Sequence, residues 1–132
     1  MIVEEKELEI CLQYALKSLL KMYDIEILEC HIDILDHIYL NGIVKYQETT
    51  FDVRGYFDLS YHHDCFCFKH IEGKIRYLFL NLELINVLKQ FVNIPYIQVN
   101  DNSCYVKCPL PISKITSYPH QLHIELKSTS SS

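Results

Sequence analysis

FDVRGYFDLSYHHDCFCFKHIEGKIRYLFL, residues Phe51 to Leu80, decides the fold. Phe51, Val53, Gly55, Phe57, Leu59 and Tyr61 alternate with Asp52, Arg54, Tyr56, Asp58 and Ser60. A period of two sustained this long is that of a half-buried strand. His62-His63-Asp64 reads as a turn, Cys65 to Ile71 as a second strand, Glu72-Gly73 as a tight hairpin turn and Lys74 to Leu80 as a third strand. On that reading Phe68 faces Tyr77 and Phe66 faces Phe79, and any even loop length keeps them on one face.

One face of this meander then carries Phe51, Val53, Phe57, Leu59, Tyr61, Phe66, Phe68, Ile75, Tyr77 and Phe79. Each, fully buried, contributes about 1.5–3 kcal/mol. Gly55 leaves room among them for a neighbouring ring or a bend. The opposite face is mixed. It is polar at Asp52, Arg54, Tyr56, Asp58, Ser60, Lys69, Lys74 and Arg76, and apolar at Cys65, Cys67, Leu78 and Leu80.

Outward from the meander, Glu4 to about Tyr23 reads as an amphipathic helix. Leu8, Cys11, Leu12, Ala15, Leu16, Leu19, Met22 and Tyr23 form one stripe, to be laid on the apolar sheet face. Ile10 and Tyr14, one turn apart, point away from it. Between Ile25 and Leu40 apolar residues alternate, but the phase slips at Leu28-Glu29, which predicts a bulge or two short strands. Asn41-Gly42 has the chemistry of a type I′ hairpin turn, and Gln47 to Thr50 is a loop. Asn81 is the expected N-cap of a short helix, Leu82 to Phe91, apolar nearly all round and therefore buried or at an interface. Tyr96–Val99 and Cys104–Cys108 make a hairpin, Leu122 to Leu126 a last edge strand, and Ser128 to Ser132 a frayed tail.

These elements predict an α+β fold over residues 1–127: an N-terminal helix on a mainly antiparallel meander, a second short helix and a C-terminal hairpin. The rival is a small closed barrel with the element order of an OB-fold. The length of 132 residues suits one domain, and 22% charged with 49% hydrophobic residues is a globular composition. The start MIVEEKELEI lacks the basic-then-apolar pattern of a signal peptide, and no apolar run reaches the length of a membrane span. The six cysteines therefore read as reduced thiols in an intracellular protein, of cytoplasm or nucleus.

Three chemistries compete. His62, Cys65, Cys67 and His70 are zinc-ligand types, but Cys65 and Cys67 alternate along a strand, about 6.5–7 Å apart, too far for neighbouring ligands on one tetrahedral ion. The same thiols beside His62, His63 and His70 suggest a Cys–His nucleophile, yet mid-strand positions do nothing to lower a thiol's pKa. Arg54, Lys69 and Arg76 around Tyr56 suggest a surface for single-stranded nucleic acid. Asp52 and Asp58 on the same face, and a net charge of −5, oppose it.

The function best supported by the sequence is protein–protein interaction: a non-catalytic adaptor without a cofactor, one subunit of a heteromeric complex. The expected partner-binding residues are Ile10, Tyr14, Leu78, Leu80, Leu84, Val87 and Phe91, because one domain of this size has more apolar surface than its own layers cover. The ten tyrosines suit an interface, with an apolar ring and a polar tip.

Overall fold

The computed structural model describes residues 1–128. In chain order it contains β1 (Ile2–Glu4), α1 (Glu5–Lys21), β2 (Ile25–Ile34), β3 (Ile38–Tyr46), β4 (Thr49–His62), β5 (Cys65–Tyr77), β6 (Leu80–Glu83), α2 (Leu84–Phe91), β7 (Ile97–Asn100), β8 (Ser103–Lys107), β9 (Ile112–Tyr118) and β10 (Gln121–Leu126). The fold is α+β. A large antiparallel sheet runs in the order β2-β3-β4-β5-β8-β7, and β6 pairs with β5 beside β8. A small sheet, β1-β10-β9, lies against β4. The large sheet is open, with β2 and β7 at its edges, so the closed OB-like barrel is not formed. Residues 129–132, most of the expected tail, lie outside the described residues.

The central strand pattern is as the alternation predicts, but two turns fall elsewhere. Glu72-Gly73 is not a turn: β5 runs straight through it, and Gly73 pairs with Gly55 across the β4–β5 ladder. The hairpin turn after β5 is Leu78-Phe79, with Tyr77 opposite Leu80. Asn41-Gly42 is not a turn either. It lies mid-strand in β3, with Gly42 between Cys30 and Val53. The β2–β3 connection is Leu35-Asp36-His37. The tight turns are made by Gln47-Glu48 and His63-Asp64, all four residues at positive φ between 49° and 64°. Both central residues of a type I′ turn need that conformation.

All three glycines of the chain therefore sit in strands, none at positive φ. At Gly42 a Cβ would stand 2.7 Å from the Glu29 carbonyl oxygen, where the predicted bulge shifts the β2–β3 register between Ile27 and Glu29. At the Gly55–Gly73 crossing a Cβ on either residue would come within 2.5 Å of a backbone oxygen of the opposite strand. Just beyond the crossing, Phe57 stands opposite two residues, His70 and Ile71, and His70 takes φ 54°. A bulge of this kind bends its strand and adds twist. The extra residue also explains why Phe66 and Phe68 still share a face with Ile75 and Tyr77 although no turn separates them.

That shared face holds the core. Ile32, Ile34, Ile38 and Tyr61 of the large sheet are buried with Leu8 of α1 and with Ile112, Ile115 and Leu122 of the small sheet. Phe57, Leu59 and Phe66 pack against them, with edge-on ring contacts at Phe57–Phe68 and Tyr61–Phe66. Strands β1 and β9, absent from the sequence reading, complete this cover. Helix α2 lies over Gly73 on the same face, its Leu84 Cδ2 3.2 Å from where a Cβ would be. It starts two residues after the expected N-terminus, because Asn81 belongs to β6 opposite Arg76, and Glu83 holds the N-cap position without a side-chain capping bond.

Two polar devices tie the layers. The Tyr61 hydroxyl donates to the Cys108 carbonyl (2.7 Å) and accepts from the Leu110 N–H (2.8 Å), pinning the chain between β8 and β9. The edge of β2 is blunted by carboxylates of α1. Glu9 accepts the Ile32 N–H (3.2 Å) and Glu5 accepts the Ile34 N–H (2.8 Å). Glu5 also accepts from His120 Nδ1 (2.9 Å), while the His120 N–H donates to the Ile34 carbonyl (2.7 Å). Occupying edge donors with side chains prevents another chain from pairing there.

Two outcomes follow. Replacing Gly73 with Ala forces a Cβ to within 2.8 Å of the Gly55 Cα, so stability measured by urea unfolding falls by about 2 kcal/mol or more. The Ile34 N–H and then His120 hold the Glu5 carboxyl below its ordinary value of 4.5. A lowered folded-state pKa contributes stability that is complete above the ordinary value and disappears as pH falls through the folded one. Glu5→Gln therefore costs about 1.5 kcal/mol at neutral pH, and denaturation curves show its difference from the parent shrinking below about pH 4.5.

Candidate functional site

The expected partner-binding residues fall into two exposed groups. On α1, Ile10 and Tyr14 stand in solvent, Tyr14 with 77% of its surface exposed. Leu8, Leu12, Leu16 and Leu19 turn the other way, and Cys11, Ala15 and Met22, expected in the inward stripe, are exposed. The second group is the β5–β6 hairpin and the helix behind it. Leu78 is 73% and Phe79 87% exposed in the turn, Leu80 and Leu82 are exposed on β6, and Phe91 is exposed at the end of α2. Leu84 and Val87 are half-buried, and Ile85 is the buried residue of α2. Leu80 pairs with Tyr77 and so belongs to the apolar face, a correction to its expected place opposite. Phe79 lies in the turn, not on that face.

The turn itself carries information. Leu78 has φ 55°. A bulky side chain in the left-handed region is a conformational outlier, where Gly or Asn would sit at less cost. A two-residue hairpin turn made of Leu and Phe therefore puts apolar area in water at a position where neither local geometry nor solvation favours it.

The opposite sheet face is polar and largely self-satisfied. Arg54, Tyr56, Lys69 and Arg76 do share it, as the register requires. Arg54 and Arg76 line an open depression of about 490 Å³ together with His31 and Asn41, and with the acids Glu29 and Asp52. Asp52 lies 3.7 Å from Arg54. Tyr56 donates to Glu72 (2.9 Å) and its ring stacks on His37 at 4.8 Å, so the one aromatic expected to receive a base is already engaged.

The same face holds a cluster that no motif announced. The Asp58 carboxylate is flanked by two imidazoles, His37 Nδ1 on Oδ1 and His70 Nδ1 on Oδ2, each at 2.7 Å. His37 comes from the β2–β3 turn, Asp58 from β4 and His70 from the bulge of β5. Around them Tyr39 donates to Asp36 (2.9 Å), and the Tyr39 and Tyr56 rings lie 5.6 Å apart. The hydrogen bond to Asp58 raises the pKa of His37, assisted by the charges of Asp58 and Asp36 and opposed by partial desolvation. For Asp58, desolvation pushes upward, but the hydrogen bonds and charges of the two imidazoles prevail and hold it below the usual carboxylate value. The hydroxyl of Tyr39 lowers Asp36, and the bonds to Asp36 and Glu72 raise Tyr39 and Tyr56 respectively.

His62, Cys65, Cys67 and His70 do not converge. Among the described residues no group of His, Cys, Asp and Glu could hold a metal ion. His62 is exposed, Cys67 is buried with its thiol directed at the Cys65 carbonyl (3.6 Å), and His70 is turned to Asp58. All six cysteines are unpaired. Burial pushes the thiols of Cys30 and Cys104 up, away from nucleophile chemistry. No helix among the described residues is long and apolar enough to cross a membrane.

The chain matches no protein-family model, no curated protein and no solved structure.

Proposed function

We propose that this chain is a non-catalytic protein–protein interaction module that serves as one subunit of a heteromeric complex. The observation that carries this reading is the β5–β6 hairpin, whose turn presents Leu78 and Phe79 to solvent with Leu80, Leu82 and Phe91 exposed on the elements that follow. Clustered exposed apolar side chains mark interaction surfaces, whereas scattered ones do not. Burying Leu78 and Phe79 in a partner would contribute about 1.5–3 kcal/mol each. The left-handed Leu78 supports the same reading, since strained conformations are retained where function requires them. Ile10 and Tyr14 on the outer surface of α1 form a second handhold.

Size-exclusion chromatography with light scattering, alongside binding of an apolar dye, tests the reading. The lone chain is expected to self-associate as its concentration rises and to bind the dye. Leu78→Asp with Phe79→Asp is expected to reduce both while leaving unfolding free energy within about 0.5 kcal/mol, as for a surface change. Co-expression with the cognate subunit is expected to restore solubility to the parent chain but not to the double variant. A dye-silent monomer at all concentrations would overturn the proposal.

A further inference from the structure

The Asp58 cluster joins the β2–β3 turn to the bulge of β5, and it does so through two imidazoles on one carboxylate. Asp58 gives one oxygen to each imidazole, so both bonds can exist together. At 2.7 Å each is at the short end for a bond between a charged donor and a carboxylate. A neutral imidazole can still donate from Nδ1, but only in one tautomer and without the charge. The strongest form of the contact therefore has protonated imidazoles on an ionised carboxylate.

What the contact holds is local and defined. His37 closes the Leu35–His37 turn, where the Leu35 N–H donates to the His37 carbonyl (2.9 Å). His70 is the left-handed residue of the bulge. Cross-strand pairing resumes only at Ile34–Ile38 on one side, and at Tyr56–Glu72 and Asp58–Lys69 on the other.

Other charged and titratable groups stand on the elements around the cluster. They are Asp36 beside His37, Tyr39 on β3 with Asp33 opposite it on β2, Tyr56 on β4, and Lys69 and Glu72 on β5. Asp36 and Glu72 are taken by tyrosine hydroxyls. Asp36 adds negative charge close to His37, which favours its proton.

We propose that His37, Asp58 and His70 form an acid-tightened clasp: proton uptake on His37 fastens the β2–β3 turn, through Asp58, to the β5 bulge, and proton loss from His37 as pH rises loosens both. The sign is fixed by linkage. Where folding raises an imidazole's proton affinity, the stabilisation is full at acid pH and is lost as pH rises through the folded-state value. The carboxylate sets the lower limit, since protonating Asp58 removes the acceptor. The clasp is thus closed between the lowered folded-state value of Asp58 and the raised one of His37.

Imidazole titration by NMR and amide exchange on the whole chain test this. His37 is expected to titrate above the free-imidazole value in the parent and to return towards it in Asp58→Asn. Protection of amides at residues 35–38 and 69–72, corrected for intrinsic exchange, is expected to fall severalfold from pH 6 to pH 8 in the parent and to stay level in Asp58→Asn, with amides of β9 and β10 unchanged in both. His37 titrating at or below the free value in the parent would overturn the clasp, a result that does not depend on the variant folding. Protection that is independent of pH in the parent, or that falls equally in Asp58→Asn, would overturn it too.

Discussion

The structure turns on a backbone contact: two glycines, Gly55 and Gly73, crossing where any side chain would strike the opposite strand. Strands of 14 and 13 residues are long for a globular domain. Kept regular, β4 and β5 would form one extended ribbon with a single neighbour along each side. The crossing and the bulge after it divide the ribbon into two zones. The first half of β5 pairs with β8 and the second half with β6, on the same side. The Ile71 N–H between them is taken by the Asn102 carbonyl (2.8 Å) from the β7–β8 turn. Helix α2 fits over the second zone because Gly73 presents no side chain beneath Leu84. The apolar core occupies the first zone, the exposed hairpin grows from the second, and the His37–Asp58–His70 cluster stands at the boundary.

Polar groups do the rest of the fastening, and they act at the ends of elements. Glu5, Glu9 and His120 satisfy one edge of the sheet, and Tyr61 secures the chain that carries the small sheet back over the core. Apolar burial is non-directional and would tolerate several placements of α1. Carboxylates four residues apart on α1, each accepting a specific N–H of β2, select one of them. The helix is thus registered against the sheet by hydrogen bonds and held there by Leu8 and Leu12.

The sequence was most legible where a single period governed it. Phe51 to Tyr61 alternates without interruption and is a strand; the slip at Leu28-Glu29 is a bulge; the stripe from Leu8 to Leu19 is a helix laid on the apolar face. Turn chemistry misled because glycine has two uses. Asn41-Gly42 and Glu72-Gly73 resemble turns, but their glycines are required for close backbone approach, while the real turns place Gln, Glu, His, Asp and Leu at positive φ. Propensity made those assignments improbable, and tertiary pairing overrode it. Even so, the facing of Phe66, Phe68, Ile75 and Tyr77 came out correctly, because a bulge of one extra residue preserves the same parity as an even turn. Strands β1 and β9 are too short or too irregular to announce themselves. The Asp58 cluster was not legible at all: its members are separated by 21 and 12 positions, and only the turn and the bulge aim them at one another.

The contrast between the two sheet faces bears on what kind of molecule this is. The polar face has balanced charge and occupied partners: Arg54 near Asp52, Tyr56 on Glu72, Asp36 on Tyr39, Asp58 between two imidazoles. A surface on which acids stand among the bases presents a weakened positive field to a phosphate backbone, which needs an uncompensated one. The apolar face is covered at the core end by α1 and the small sheet, yet Tyr77, Leu80 and Leu82 at the far end stay open to water beside the hairpin turn. Area of that kind has a large transfer free energy and few competing interactions to lose. The exposed apolar area at this end of the sheet therefore lies with the β5–β6 hairpin, which is why the proposed docking surface is placed there and not on the charged face.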